Sequence, residues 1–274
     1  MIKPKLLTVL APVGGALVPL EQVPDPVFSQ KMLGEGITID PTEGLIRAPF
    51  DGKIINMNSC LHAFVLEQNG VELLVHVGLD TVRLQGEGFS SFVKVGDSVT
   101  AGQPILQFDL LKLCTLLSTP FVLCVVTAPA HVQVQMTDRE IVKAGQPLFD
   151  VLLTPTTPAP SASSQTYTAC ATFCVTNKPG LHARPAGVLA RLAGSYPYEV
   201  FLCKGNQCVN AKSIVGVMGL ALHHQDHVTL RVNGPEEAAH AFLQQMEQAF
   251  CSGFGEGTSS QPAPKNKPKE APCD

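Results

Sequence analysis

A stretch of Pro, Ala, Ser and Thr at residues 154–166 constrains the fold of this chain more than any other feature. Its sequence, TPTTPAPSASSQT, has no charge and no large apolar side chain. Such a segment has nothing to bury in a core and is typical of a linker. Residues 255–274 are similarly poor in apolar side chains, which is typical of a disordered tail. The sequence therefore predicts two domains, residues 1–153 and 167–254, joined by the linker and followed by the tail.

The composition favours short strands and argues against several classes of protein. Of 274 residues, 45% are hydrophobic but only 6% are aromatic, and Gly 23 and Pro 22 are frequent. The net charge is −4, and no basic run precedes the tail, which disfavours nucleic-acid binding. The Cys count is 9, at irregular spacings, so we expect buried free thiols in a cytoplasmic protein rather than a disulfide framework.

Residues 110–130 form the longest apolar stretch, with Lys112 as the single charged residue. On length alone this stretch is long enough to span a bilayer. However, Ser118-Thr119-Pro120 divides it into a leucine-rich half and a β-branched half. We therefore predict a helical turn followed by a buried strand instead of a membrane span.

The first domain alternates short apolar runs with turn signals, which predicts an all-β antiparallel sandwich. Asn69-Gly70 and Asp51-Gly52 stand between apolar runs and are hairpin markers, because Gly accepts positive φ without steric cost. Residues 93–109 and 141–151 repeat a similar pattern, VKVGDSVTAGQPILQFD and IVKAGQPLFDV. We expect two similar turns that enter two similar strands.

The second domain changes from strand to helix periodicity along its length. Residues 170–176, 198–203, 207–210 and 227–232 alternate as strands, whereas helices are predicted over 181–193 and 213–222 and after Pro235. The resulting order, β-α-β-β-α-β-α, predicts an α+β open-faced sandwich with helices on one face of the sheet.

His182 stands directly before the first predicted helix of this domain, with Arg184 two residues later. The free N–H groups and positive dipole of a helix N-terminus favour an anion, and a guanidinium adds planar donors. A phosphoryl group on the imidazole would be stabilised there. The alternative at this point is an ordinary polar helix cap with a neighbouring Arg.

Two further histidines, His62 and His76, lie at about equal distances from the Asn69-Gly70 turn. In an antiparallel hairpin their rings would lie side by side. With Asp80 nearby, they suit phosphoryl transfer or a metal site. Buried, hydrogen-bonded structural histidines are the alternative. The sequence lacks GxxxxGK, GxGxxG, HExxH and GxSxG motifs, so the histidines are its candidate reactive groups.

The segment GLHARPA at 180–186, followed by NAKSIV at 210–215, resembles HPr, the histidine phosphocarrier of the bacterial phosphoenolpyruvate sugar phosphotransferase system. The resemblance covers residues 168–254. It implies that His182 is phosphorylated on Nδ1 with the assistance of Arg184. Ser213 matches a serine that some members phosphorylate for regulation, although we favour a helix cap. The docking face of the family corresponds to Ile214, Val215 and Met218, which are equally able to pack inward.

Six ordered motifs within residues 7–153 resemble the glucose-type enzyme IIA of the same system: VPDPVF, GEGI, APFDG, HAF, VHVGLDTV and GEGF. The resemblance implies that His76 accepts the phosphoryl group on Nε2, that His62 stabilises it, and that Asp80 is an acidic neighbour. It also implies that Phe28 is an exposed docking residue. One departure is Cys60, where the family usually has a Thr that hydrogen-bonds near the active ring; a thiol bonds more weakly.

Together the resemblances imply a cytoplasmic phosphohistidine relay, which needs no cofactor, resident metal or nucleic acid. Enzyme I would phosphorylate His182, and His76 would pass the group to a membrane enzyme IIB/IIC sugar permease. N-acetylglucosamine is preferred over glucose as the sugar. The alternatives are a regulatory binding module, a zinc site at His62 and His76, and a biotinyl or lipoyl carrier, although no Lys lies between residues 54 and 93.

Overall fold

The computed structural model describes residues 5–117, 119–127, 132–153 and 167–256. The chain divides into two compact units, Met1–Pro158 and Ala159–Asp274. The predicted linker at 154–166 and residues 257–274 of the predicted tail lie outside the described residues. Within the described ranges, no helix combines the length and apolar character needed to cross a membrane.

The first unit consists mainly of short strands, with two short helices. Its strands are β1 (Lys5–Leu10), β2 (Gly15–Pro19), β3 (Glu35–Pro41), β4 (Leu45–Arg47), β5 (Gly52–Met57), β6 (Ala63–Gln68), β7 (Val71–Val77), β8 (Phe89–Ser91), β9 (Ser98–Val99), β10 (Pro104–Phe108), β11 (Val122–Val126), β12 (Val132–Met136), β13 (Ile141–Val142) and β14 (Pro147–Leu153). The helices are α1 (Pro26–Ser29) and α2 (Leu110–Leu116).

These strands form one sheet of eight strands, in the order β13-β2-β3-β11-β7-β6-β5-β9, and two sheets of three, β1-β14-β12 and β4-β10-β8. The strand pairs are antiparallel. One buried apolar cluster includes side chains from all three sheets, among them Val9, Ile39 and Ile46. Burial of such side chains is the main force that holds the sheets together. The predicted all-β sandwich is confirmed.

The two predicted hairpin markers have different outcomes. Asn69 and Gly70, at φ 55° and 83°, form the turn between β6 and β7, as predicted. The prediction at Asp51-Gly52 is wrong, because β4 pairs with β10 whereas β5 pairs with β6 and β9. The chain passes from one sheet to another there, and the Asp51 carboxylate instead accepts a hydrogen bond from the backbone N–H of Ala101 at 2.8 Å.

The repeated pattern forms two equivalent turns, as predicted. Gly102 and Gly145 have φ of 81° and 82°. In each turn a glutamine side chain accepts a backbone N–H, Gln103 from Thr100 and Gln146 from Lys143. The turns lead into β10 and β14. The apolar stretch after Asp109 likewise forms the predicted helical turn, α2, and the buried strand β11.

The second unit has the predicted β-α-β-β-α-β-α order. Its elements are β15 (Ala169–Cys174), α3 (Ala183–Ser195), β16 (Val200–Lys204), β17 (Gln207–Asn210), α4 (Ile214–Gly219), β18 (His227–Val232) and α5 (Glu236–Cys251). The sheet order is β15-β18-β16-β17. Buried side chains from the sheet and the helices, including Leu189, Leu230 and Phe242, share one apolar cluster. The predicted open-faced sandwich is confirmed.

The prediction of buried free thiols is wrong for most of the described cysteines. Cys203 and Cys208 are opposite each other across the β16–β17 hairpin, with Cα atoms 4.1 Å apart, and form a disulfide. Among the free cysteines of the described residues only Cys124 is buried. Cysteine spacing alone did not reveal the strand register that brings Cys203 and Cys208 together.

Candidate functional site

His76 lies near the end of β7, a central strand of the eight-stranded sheet. It pairs with Ala63 on β6 and with Leu123 on β11. The strand is buried on both faces along most of its length, so its backbone is fixed by two neighbours. His76 itself is only 6% exposed. The sheet therefore fixes the backbone from which this buried imidazole projects.

His62 directly precedes β6 and lies beside His76. The ring centroids are 5.0 Å apart at an interplanar angle of 64°, which confirms the predicted adjacency. The register is offset by one residue from the prediction, because Ala63 pairs with His76 while the His62 carbonyl accepts the N–H of Val77 at 2.8 Å. Leu61, at φ 58°, reverses the chain immediately before His62.

Phe28 belongs to the same cluster, and its position differs from the prediction. Its ring centroid is 5.6 Å from that of His76, and the side chain is only 4% exposed. Phe28, expected to be an exposed docking residue, is therefore buried beside His76. Phe89 contributes a second aromatic contact, 6.5 Å from the His62 ring. Two apolar rings therefore lie beside the paired imidazoles.

Asp80 follows β7 in a tight reversal of the backbone. Gly78 and Asp80 have φ of 69° and 58°, and a Cβ at Gly78 would lie 2.5 Å from the Cγ2 of Thr81. Asp80 is partly exposed and precedes a 3-10 turn at Thr81–Leu84. The reversal keeps this carboxylate in the loop directly after His76.

Cys60 is partly exposed, and its backbone N–H donates to the Asn58 side chain at 2.7 Å. The loop therefore has a fixed turn before His62 even with a thiol at this position. The next hairpin, between β6 and β7, has Gln68-Asn69-Gly70 near its tip. Because this tip has no lysine, it cannot carry biotin or lipoate.

In the second unit, His182 is the N-cap residue of α3. Its φ and ψ are −80° and −172°, and its carbonyl accepts the N–H of Ala186 at 3.0 Å. The Nε2 atom of the ring lies 2.9 Å from Oε1 of Glu256. Gly180, at φ 78°, makes the turn before the helix. This geometry leaves Nδ1 as the ring nitrogen that Glu256 does not engage.

The Glu256 carboxylate joins several groups of this site. It accepts a hydrogen bond from the side-chain amide of Asn177 at 2.9 Å, and Nη1 of Arg184 lies 3.8 Å from it. Burial raises the pKa of this carboxyl, but bonding to His182 and Asn177 and the charge of Arg184 outweigh burial and hold the pKa below its usual value. The carboxylate is therefore ionised at neutral pH.

Sequence reasoning missed Glu256, because it assigned residues 255–274 to a disordered tail. The residue follows a 3-10 turn at Gly253–Gly255 that packs on the end of α5, with Phe254 buried. The side chain of Asn177 also donates to the Gly253 carbonyl at 2.8 Å. An available signal was the apolar Phe254, which lies two residues before Glu256 at the end of the predicted domain.

The remaining candidate residues lie on α4, which packs against α3. Ser213 is its N-cap, and the hydroxyl accepts the N–H of Gly216 at 3.0 Å, which confirms the favoured cap. Ile214 and Met218 are partly exposed, whereas Val215 is 7% exposed. Val215 therefore packs inward, and the exposed part of the proposed docking face is smaller than expected.

No cluster of three or more His, Cys, Asp or Glu side chains in the described ranges is arranged to hold a metal ion. His62 and His76 provide two imidazoles, whereas a structural zinc site has four protein ligands.

Comparison with known proteins finds one family match within each of the two units. Residues 7–132 match the family described as phosphoenolpyruvate-dependent sugar phosphotransferase system, EIIA 1. Residues 170–250 match the family described as PTS HPr component phosphorylation site. The two matches include His62 and His76 in the first case and His182 in the second.

Individual relatives agree with the first of these matches. The glucose-specific EIIA component of Oceanobacillus iheyensis is 48% identical over 109 residues, which are 39% of this chain and 66% of that protein. That of Staphylococcus epidermidis is 50% identical over 107 residues, 39% of this chain and 64% of that protein. The matched segment thus spans slightly less than two thirds of each relative.

A solved structure, the glucose permease IIA of Mycoplasma capricolum, is 34% identical and covers 53% of this chain and 96% of its own, with a TM-score of 0.52. Its near-complete coverage indicates that the first unit contains a whole domain of this type. The chain belongs to the phosphoenolpyruvate-dependent sugar phosphotransferase system family, as a fusion of a glucose-type EIIA domain with an HPr domain.

Proposed function

We propose that this chain is a cytoplasmic phosphohistidine relay of the sugar phosphotransferase system. Enzyme I would transfer a phosphoryl group from phosphoenolpyruvate to Nδ1 of His182. The group would then pass to Nε2 of His76, and from there to a membrane enzyme IIB/IIC permease. The names of the glucose-specific relatives favour glucose over N-acetylglucosamine as the sugar.

The main support for this proposal is the engagement of His182 Nε2 by the Glu256 carboxylate at 2.9 Å. If Nε2 carries the proton, Nδ1 has the lone pair that a phosphoryl donor needs. His182 also caps α3, so the N–H groups at the helix N-terminus can stabilise a phosphoryl group there. Arg184 would supply further positive charge.

The step between the two units exchanges one phosphorus–nitrogen bond for another. The lone pair of His76 Nε2 attacks phosphorus while the bond from phosphorus to His182 Nδ1 breaks, and that nitrogen regains its lone pair. No redox partner or external nucleophile takes part. The protein supplies positioning and charge neutralisation, to which His62 contributes because its ring lies beside His76.

The proposal is tested by incubating the full chain with enzyme I and radiolabelled phosphoenolpyruvate. We expect acid-labile label at His182 and His76 in the wild type. His76→Ala should retain label only at His182, His182→Ala should abolish labelling, and His62→Ala should slow passage beyond His182. Label that persists without both His76 and His182, or a wild-type chain that is never labelled, would contradict the proposal.

The sugar is tested separately with membranes that contain a glucose-specific or an N-acetylglucosamine-specific permease. We expect faster loss of label from His76 with the glucose permease in the presence of glucose. Faster loss with the other permease would reverse the assignment of the sugar without affecting the relay.

A further inference from the structure

Phe28 lies on α1, a single helical turn that is too short to hold its own position. At its N-terminus, the carboxylate of Asp25 accepts the N–H of Val27 at 2.9 Å. At its C-terminus, Gln30 and Lys31 end the turn, with Lys31 at φ 53°. The contact between the Phe28 and His76 rings, 5.6 Å between centroids, therefore depends on residues that surround this turn.

Lys31 connects α1 to the chain on both sides of it. Its Nζ lies 3.0 Å from Oε1 of Glu21, which precedes the turn, and 2.7 Å from Oε2 of Glu35, which follows it. We call these three residues the Lys31 bracket. The hydrogen bond to Glu35, and then that to Glu21, raises the pKa of the Lys31 ammonium above its ordinary value, so Lys31 is charged at neutral pH.

The bracket is attached to the sheet that carries His76. Glu35 is the first residue of β3 and pairs with Val126 on β11, while Leu123 of β11 pairs with His76. The neighbouring Gly34 lies close to the same strand, since a Cβ there would be 2.0 Å from the Val126 carbonyl oxygen. A continuous set of contacts thus runs from Lys31 through Glu35 and β11 to His76.

We propose that Lys31 is a positioning residue that holds Phe28 against His76 through Glu21 and Glu35. This inference rests on the proposed function for its effect on transfer, but not for its effect on the ring contact. The Phe28 ring meets the imidazole at a tilt of 60°, and both side chains are buried. A small displacement of the Phe28 ring would change both the orientation of the His76 ring and its access to water. In-line transfer is sensitive to both changes.

The ring contact is tested by NMR of the unphosphorylated full chain. The carbon-bound ring protons of His76 should show a ring-current shift from Phe28, which Phe28→Leu removes. Lys31→Met keeps the length of the side chain but removes its charge, and should reduce that shift. Lys31→Arg should restore it, and Lys94→Met, at an exposed lysine of the same unit, should leave it unchanged. An unaltered shift in Lys31→Met would overturn the inference.

The effect on transfer is tested by the rate at which label moves from His182 to His76. Lys31→Met should slow this step about tenfold, as expected for a misplaced reacting group, with the labelling rate of His182 unchanged. Lys31→Arg should recover most of the rate. If the wild type is labelled at His76 and Lys31→Met transfers equally fast, the positioning role is wrong while the relay stands. If the wild type is never labelled, the relay fails, and the NMR result alone decides the ring contact.

If Lys31→Met does not fold, a second pair of variants tests the positioning role of Lys31. Glu21→Gln and Glu35→Gln each remove one carboxylate and retain the lysine. Each should reduce the ring-current shift partly, and the double variant should reduce it further. If the folded double variant kept the wild-type shift and transfer rate, the bracket would have no positioning role.

Discussion

Glu256 engages Nε2 of His182, and the proposed relay uses the other ring nitrogen, Nδ1. Its carboxylate lies 2.9 Å from Nε2, so the tautomer with Nε2 protonated is favoured. In Glu256→Gln the charge is lost, and the amide can orient either its oxygen or its nitrogen toward the ring. We expect phosphorylation of His182 by enzyme I to slow about tenfold, the loss of a hydrogen bond to a charged group. The initial rate of label incorporation measures this.

Glu247→Gln is the matched control, because Glu247 lies on α5 in the same unit and outside the contacts described for His182. It should be labelled at the wild-type rate. An equal loss in both variants would mean that overall charge, rather than the contact with Nε2, governs the reaction.

The same carboxylate makes the stability of the second unit depend on pH. The folded-state pKa of Glu256 lies below the ordinary value of 4.5, so its ionised form contributes stability above that value. The contribution is lost as the pH falls through the folded pKa. The difference in free energy of unfolding between wild type and Glu256→Gln should therefore be fully present at about pH 7 and should decrease as the pH falls below 4.5 through the folded pKa.

Tyrosine fluorescence can follow this transition in the full chain. The chain has Trp 0 and Tyr 3, and the tyrosines, at 167, 196 and 198, belong to the second unit. Urea unfolding followed at tyrosine wavelengths thus reports the second unit alone. A wild-type advantage that persisted undiminished at the acid end would refute the assigned titration.

The loop that precedes α3 requires glycine at position 180. Its φ is 78°, and a Cβ there would lie 2.1 Å from the Leu222 carbonyl oxygen, which accepts the N–H of Leu181. Gly180→Ala should destabilise the second unit by about 2 kcal/mol or more, from backbone strain and steric overlap. The midpoint of urea unfolding by tyrosine fluorescence measures the change.

Gly194 provides the opposite case within α3. A Cβ there meets nothing within 4 Å, and Ala is the better helix former. Gly194→Ala should stabilise the unit by about 0.5–1 kcal/mol. Destabilisation by both substitutions, to a similar degree, would show that neither the φ nor the close approach at Gly180 matters.

Elements defined by local signals were predictable from the sequence, and long-range partners were not. The Asn69-Gly70 turn, the Ser213 cap and the repeated turns before β10 and β14 depend on neighbouring residues, and the structure confirms them. The Asp51-Gly52 hairpin failed because the choice of partner strand is made across the sheets. A hairpin marker fixes a turn, whereas strand pairing depends on the whole core.

Among the candidate-site residues, too, local sequence signals were predictable and long-range contacts were not. Motifs identified His62, His76, His182 and Arg184 because their resemblance lies in contiguous segments. The burial of Phe28 and the arrival of Glu256 at His182 depend on contacts distant in sequence. The register of β16 and β17 places Cys203 opposite Cys208 and allows the disulfide between them. The irregular spacing of the cysteines in the sequence did not indicate this pair.

The whole chain joins a proposed donor and its proposed acceptor covalently. His182 and His76 lie in different compact units, and the linker segment 154–166 connects them. A covalent connection whose length matches the distance to be spanned gives an effective concentration on the order of millimolar. Because the transfer step requires the two rings to meet in line, tethering would increase the frequency of encounter without changing either site.

A mixing experiment separates transfer within one chain from transfer between chains. In the wild type, movement of label from His182 to His76 should proceed at a rate that does not depend on protein concentration at about 1 µM, far below the millimolar effective concentration of a tethered donor. A mixture of His76→Ala, which supplies phosphorylated His182, with His182→Ala, which supplies His76, should transfer more slowly and in proportion to concentration. Rapid-quench sampling after a single phosphorylation measures both rates. If the mixture matched the wild-type rate at every dilution, the tether would confer no advantage, and the two units would act as independent carriers.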